Sequence, residues 1–242
     1  MEQTDIVLLT ETKGLPPTLA GYTWVSKERK TGKGGGVAIA IKNNLVNHVS
    51  TPNITEKDEV ESICIRLKLL QTKEIYVGCY NGPQEKAEKD LVTAQYDLLI
   101  YIHINHKGSV ILSEDFNAKL GYSNNKYTQE ISRNGKIMQN LLNQTKMEPV
   151  NDKSTTGRWT RVNRQRPNKK SVIEYIIANH EGKERIYDVE IDEMGSKRLK
   201  SAQRESDHNT ITAKIKTQRI PGRRTTIKRW KINTIHQQRP SD

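Results

Sequence analysis

The run DIVLLT, residues 5–10, carries no polar side chain from Ile6 to Leu9. A strand with one face in water alternates apolar and polar positions, whereas a run that is apolar throughout must be covered on both faces. A chain with such a strand needs layers on each side of a sheet, which restricts it to layered architectures. Only 33% of the 242 residues are apolar and a single one is Phe, so the core must come from patterned Ile, Val and Leu.

Further runs fit strands. GVAIAIK (36–42), VESICIRLKL (60–69), EIYVGCY (74–80), SVILS (109–113), SVIEYIIAN (171–179) and NTITAKI (209–215) alternate or are rich in β-branched residues. YTWVS (22–26), GRWTRVN (157–163) and ERIYDVEI (184–191) are additional candidates. Helical periodicity is confined to two stretches. Residues 85–104 bring Leu91, Val92, Tyr96, Leu98, Leu99 and Ile102 near a 3.6-residue repeat, and residues 134–145 bring Ile137, Met138, Leu141 and Leu142 to one face. Many strands and few helices predict an α/β fold, two packed sheets flanked by helices.

Lys and Arg number 40 against 28 Asp and Glu, a net charge of +12 that favours a polyanionic partner, nucleic acid first. From Lys214 to Arg239 there are nine basic residues and no acid, so part of this charge belongs to a tail. A run of like charge reads as solvated and disordered, which still permits phosphate contacts. Two cysteines, Cys64 and Cys79, make neither a disulfide framework nor a zinc motif. No apolar run is long enough to span a membrane and no signal-peptide pattern precedes DIVLLT, which predicts a nuclear or cytoplasmic protein.

Polar residues gather where the strands end. Thr10, Glu11 and Thr12 follow the first run, Tyr80 and Asn81 follow IYVGC, and Ser113 to Asn117 read SEDFN after SVIL. Glu174 interrupts SVIEYII, and Asp207 and His208 precede NTITAKI. Any one of these is more often a turn or cap residue, and the combination carries the signal. A carboxylate inside an apolar strand needs a partner, and a histidine suits Glu174. The set fits phosphodiester hydrolysis. A hard cation takes carboxylate oxygens from Glu11 and Asp207, Asp115 orients or deprotonates water, and Asn117 donates to a phosphate oxygen. His208, oriented by Glu174, stabilises the charged intermediate, and Tyr80 contacts phosphate. TGKGGG holds Gly32, Gly34, Gly35 and Gly36 before a strand, which argues for a tight loop instead of a P-loop; Lys27, Arg29, Lys30 and Lys33 suit that loop to phosphate.

LTET, YNGP, EDFNA, SVIEY and SDHN stand in the order found in the endonuclease/exonuclease/phosphatase family, and the chain resembles most the endonuclease domain of LINE-type non-LTR retrotransposons. GGVAIAI and the trailing KRWKIN extend that resemblance. It implies a four-layer α/β sandwich of two mixed sheets over residues 1–216, with 217–242 a basic, disordered tail or linker. It further implies Mg²⁺, or Mn²⁺ in its place, and DNA as substrate. The protein would be a monomer, with a reverse transcriptase domain in the parent element. By the same resemblance Glu11 and Asp207 bind metal, while Tyr80, Asp115, Asn117, Glu174 and His208 are catalytic. Lys33, Arg158, Arg161, Arg164 and Arg166 would contact DNA. The family also carries an earlier strand ending in a catalytic Asn. Only four residues precede DIVLLT, so the expectation is a truncated copy, a missing first strand, an open sheet edge and impaired activity. Glu114 stands where the family has Gly, and Glu174 where it has Asp. Two alternatives remain open: an inactive nucleic-acid-binding remnant, and a phosphatase acting on lipid or inositol phosphates.

Overall fold

The structure, a computed structural model, describes residues 4–12, 19–29, 35–51, 61–68, 74–82, 108–121, 130–154, 156–163, 165–194, 207–217 and 225–231. The helix expected over 85–104 lies outside the described residues, as do Lys33 and Arg164.

Two six-stranded mixed sheets form the body. The first contains β1 (Ile6–Thr10), β2 (Tyr22–Lys27), β3 (Val37–Lys42), β12 (Ile186–Asp192), β13 (Thr210–Ile215) and β14 (Thr225–Lys231), in the order β12-β13-β14-β1-β3-β2. The second contains β4 (Val49–Ser50), β5 (Glu61–Leu67), β6 (Ile75–Asn81), β7 (Ser109–Asp115), β8 (Glu148–Pro149) and β11 (Glu174–Ala178), in the order β4-β5-β6-β7-β11-β8. A small hairpin of β9 (Arg161–Val162) and β10 (Lys170–Ser171) stands apart from both.

The apolar runs explain this layering. Ile6, Leu8, Ile39 and Ile41 from the first sheet meet Ile63, Ile65, Val77, Ile111 and Ile176 from the second in one buried cluster. Val7 and Leu9 point the other way, against Ala38 and Ala40, with Tyr22 and Trp24 over them. β1 is thus covered on both faces, as its unbroken apolar run requires. The outer face of the second sheet buries Tyr76, Tyr80, Leu112, Phe116, Tyr175 and Ile177 under Met138, Leu141 and Leu142. Those last three lie on α1 (Arg133–Thr145), which matches the helix expected at 134–145.

Helix α1 begins where a serine can cap it. Ser132 Oγ accepts from Gly135 N at 3.2 Å and from Lys119 N at 3.1 Å, so the cap also ties the helix to the loop after β7. Lys146, at φ +54°, ends the helix in the left-handed conformation. Ser132→Ala is expected to cost about 1 kcal/mol, read as a lower urea midpoint with unchanged slope.

Thr225–Lys231, inside the stretch read as a disordered tail, forms β14 between β1 and β13. It runs parallel to β1 and antiparallel to β13, so the edge of β1 expected to be open is paired. The charge count hid a β-rich sequence: TTIKRWK combines two threonines, Ile227 and Trp230, all strand formers.

Candidate active site

Strand direction gathers the polar residues at one edge of the sandwich. β1, β6 and β7 end there, while β5, β11 and β13 begin there. Because side chains alternate, Glu61, Asn81, Asp115 and Glu174 take the same face of their sheet as Ile63, Cys79 and Ile176, the face turned toward the other sheet. Glu11 follows β1, and Asp207 and His208 precede β13.

The innermost group is a buried triad. Asp115, Glu174 and His208 are 0%, 1% and 6% exposed, low enough that each charge needs a partner. Their ligand atoms lie within 4.8 Å of one another. Glu174 and Asp115 are direct cross-strand partners, and His208 Nδ1–H donates to Glu174 Oε1. The second oxygen of Glu174 is buried without a hydrogen-bond partner among the described residues. His208 Nε2 faces Asp207 Oδ1 at 3.3 Å, and Asp207 Oδ2 accepts from Arg161 Nε at 2.8 Å. The expected pairing of Glu174 with His208 therefore forms, and the longer Glu side chain does not prevent it.

Backbone conformation sets the neighbouring loop. Asp115 Oδ1 accepts from Asn117 N at 3.0 Å, and Asn117 adopts φ +47°, a conformation that Asn tolerates better than most residues. Asn117 Nδ2 donates to Gly82 O at 3.0 Å, and Gly82 N donates to Asp115 O at 2.6 Å. Thr160 Oγ1 accepts from the backbone N–H of Ile173 and of Glu174, at 3.1 and 3.2 Å, fixing the start of β11. Thr160 carried no signal in the sequence, because its role depends on a contact made across the hairpin.

Three further expected residues, Tyr80, Glu11 and Asp207, lie around this group. Tyr80 is 1% exposed and packs on Phe116, ring centroids 5.3 Å apart, on the face of β6 away from Asp115. Asn81, one residue on, stands in register with Asp115. Glu11 and Asp207 share an edge of the first sheet, but β14 lies between their strands. Two strand spacings put their backbones about 10 Å apart. Glu11, at φ +58°, accepts from Gly35 N at 3.3 Å through Oε2 and from Asn81 Nδ2 at 3.2 Å through Oε1.

Arg158 and Arg166 are exposed and Arg161 is half-buried, on and around the β9–β10 hairpin. Glu193 Oε1 accepts from the backbone N–H of Arg158 and Trp159, which steadies the segment leading into it. No helix among the described residues is long and apolar enough to cross a membrane.

The fold has counterparts among solved structures. NExo, a 3′ phosphatase from Neisseria bound to product DNA hairpin, superposes with a TM-score of 0.60 at 18% identity, covering 88% of this chain and 89% of that one. The APE2 catalytic domain of Xenopus laevis gives 0.60 at 18% identity, covering 92% of this chain and 84% of that one. An AP endonuclease from Archaeoglobus fulgidus gives 0.59 at 17% identity, covering 88% and 89%. These likenesses establish the fold. No curated protein matches the sequence. The endonuclease-reverse transcriptase family profile matches residues 75–212, more than half of the chain, from the start of β6 into β13. The chain belongs to the endonuclease/exonuclease/phosphatase family, in the group described as endonuclease-reverse transcriptase.

Proposed function

We propose that the chain is a divalent-metal-dependent phosphodiesterase that nicks DNA, derived from the endonuclease domain of a LINE-type retrotransposon. One observation carries this reading: a buried Glu174–His208 pair beside the buried carboxylate of Asp115, at the common edge of the two sheets. Burial of two carboxylates against one imidazole is costly, and catalysis is a reason to keep it.

Asp115, held through Oδ1 by the Asn117 backbone, is the acceptor for the proton of an attacking water. As the water oxygen closes on phosphorus, the bond from phosphorus to the leaving oxygen breaks and that oxygen takes up a proton. Asn117 uses one Nδ2–H on Gly82, and the other is available to a phosphoryl oxygen. With Nδ1–H committed to Glu174, His208 presents Nε2, which donates to the charged phosphoryl group when the ring is protonated. Bound Mg²⁺, or Mn²⁺ in its place, would be held by Glu11 and Asp207 and would offset charge developing on the phosphoryl oxygens. The charge of +12 and the exposed Arg158 and Arg166 favour DNA over a small phosphate ester, as does the DNA hairpin bound by the Neisseria phosphatase. Lys33 and Arg164 complete the proposed contact set. A monomer serves this reaction, with a polymerase domain supplied by the parent element.

A second reading rests on the Arg161–Asp207 ion pair, which commits Asp207 at 2.8 Å to a cation of the protein itself. That favours a non-catalytic DNA-binding remnant. Nicking of supercoiled plasmid separates the two. Mg²⁺- or Mn²⁺-dependent nicking, abolished by EDTA and by Asp115→Asn, is the expected result. Salt-sensitive DNA binding by the folded chain with no nicking in either metal would leave the remnant.

A further inference from the structure

The site contains a second cluster, in which only Glu11 has been given a role. Glu61 begins β5, Asn81 ends β6, Glu11 follows β1, and Gly35 and Gly36 precede β3. A side-chain amide offers two N–H donors and one carbonyl oxygen. Asn81 gives both donors to carboxylates, to Glu61 Oε2 at 2.7 Å and to Glu11 Oε1 at 3.2 Å. Ionised carboxylates only accept, so the amide has one sensible orientation, in which Oδ1 takes no part in either bond. Asn81 is 3% exposed and its Oδ1 has no hydrogen-bond partner among the described residues. A buried polar oxygen without a partner is uncommon and marks either strain or a missing ligand.

The two carboxylates are not equivalent. Glu61 is saturated: Oε1 is paired with Arg29, and Oε2 accepts from Gly36 N at 2.9 Å as well as from Asn81. Gly36, at φ +88°, admits no side chain here, because a Cβ would meet Thr12 Oγ1 at 2.5 Å. Glu11 is held by two longer bonds of 3.3 and 3.2 Å. A hard divalent cation accepts carboxylate and amide carbonyl oxygens together. Asp207, the other acid expected to hold the cation, is tied to Arg161 and lies beyond β14.

We propose that Asn81 is a metal-binding residue of this chain: its Oδ1 joins Glu11 as a neutral ligand of the divalent cation, and Glu61 is the anchor that positions it. This rests on the metal-dependent reading above. Register places Asn81 directly beside Asp115, so a cation there sits one strand from the proposed proton acceptor. Arg29, although in the basic glycine loop, serves the anchor.

The test is Mn²⁺ titration of the purified full chain, with free Mn²⁺ followed by electron paramagnetic resonance and nicking assayed in parallel. Asn81→Ala is expected to weaken Mn²⁺ binding by about 10- to 100-fold, the range seen when partners of metal ligands are lost. Asn81→Asp loses the N–H donors but keeps a ligand oxygen, so its Mn²⁺ affinity should stay near that of the parent chain while its melting temperature without metal falls. A merely structural role predicts the opposite, with Asp as damaging to Mn²⁺ binding as Ala, and that result overturns the proposal. The Asp variant decides the matter if the Ala variant does not fold. Unchanged Mn²⁺ affinity in Asn81→Ala beside a parent chain that binds Mn²⁺ and nicks overturns the ligand role alone. A parent chain that binds no Mn²⁺ overturns the metal-dependent reading and this inference with it.

Discussion

A chain ending at Thr217 is expected to lose cooperative folding. β14 is interior to its sheet, with five register pairs to β1 and four to β13. Removing it exposes facing rows of N–H and C=O groups on two strands that are buried along most of their length. Each backbone group left buried and unpaired costs about 1–3 kcal/mol. A few such groups equal the whole stability of an ordinary domain, about 5–15 kcal/mol. Circular dichroism should therefore show the 1–217 chain without the cooperative thermal transition of the full chain. A synthetic peptide spanning residues 225–231 should restore part of that transition, since the slot between β1 and β13 accepts an extended strand in one register. One structural alternative would defeat the expectation. β1 and β13 run antiparallel to each other across β14, so they can in principle close together. An unchanged melting temperature for 1–217 would mean that they do.

That segment also illustrates how composition misleads. Charge counting treats Lys228, Arg229 and Lys231 as solvated, and β-propensity is outvoted. β1 was legible for the converse reason: six residues without an interior polar side chain have few uses outside a doubly covered strand. Helix α1 was legible from periodicity and its serine cap, both of which are local. Glu61 was not, because its partners Arg29, Gly36 and Asn81 come from three other segments, 20 or more residues away.

The face that Tyr80 takes was legible only in part. Motif order is read without strand phase, and a strand changes face at every residue. Cys79 and Asn81 share the inter-sheet face, while Tyr76 and Tyr80 share the other. The phase could have been read from the sequence. Val77 and Cys79 continue the buried alternation of EIYVGCY, so its next inward position is Asn81. The pairing of Glu174 with His208 was legible because a carboxylate in an apolar strand is conspicuous at any register. The pairing distance, and the accommodation of Glu where the family has Asp, required the fold.

His208→Ala is expected to damage both stability and chemistry, and the two losses can be separated. Asp115 and Glu174 are cross-strand neighbours at 0% and 1% exposure, with His208 the donor to Glu174. Their Cβ atoms are about 4.5–5.5 Å apart in such a pair, close enough for strong repulsion in a poorly solvated site. Truncating the histidine leaves Glu174 buried with neither oxygen hydrogen-bonded among the described residues. Leaving a buried carboxylate without its partner costs about 3–5 kcal/mol, so the urea midpoint should fall sharply. His208→Asn behaves differently on the same argument. Its amide places an N–H close to the position of Nδ1, so the donor to Glu174 is kept and most of the stability returns. It has no group at the position of Nε2, so plasmid nicking should stay lower by about 10²- to 10⁴-fold, the usual contribution of a positioned acid or base. An Asn variant that recovers stability but not nicking assigns Nδ1 to the fold and Nε2 to the reaction. Recovery of both would remove His208 from the chemistry and leave it as a partner for Glu174 alone.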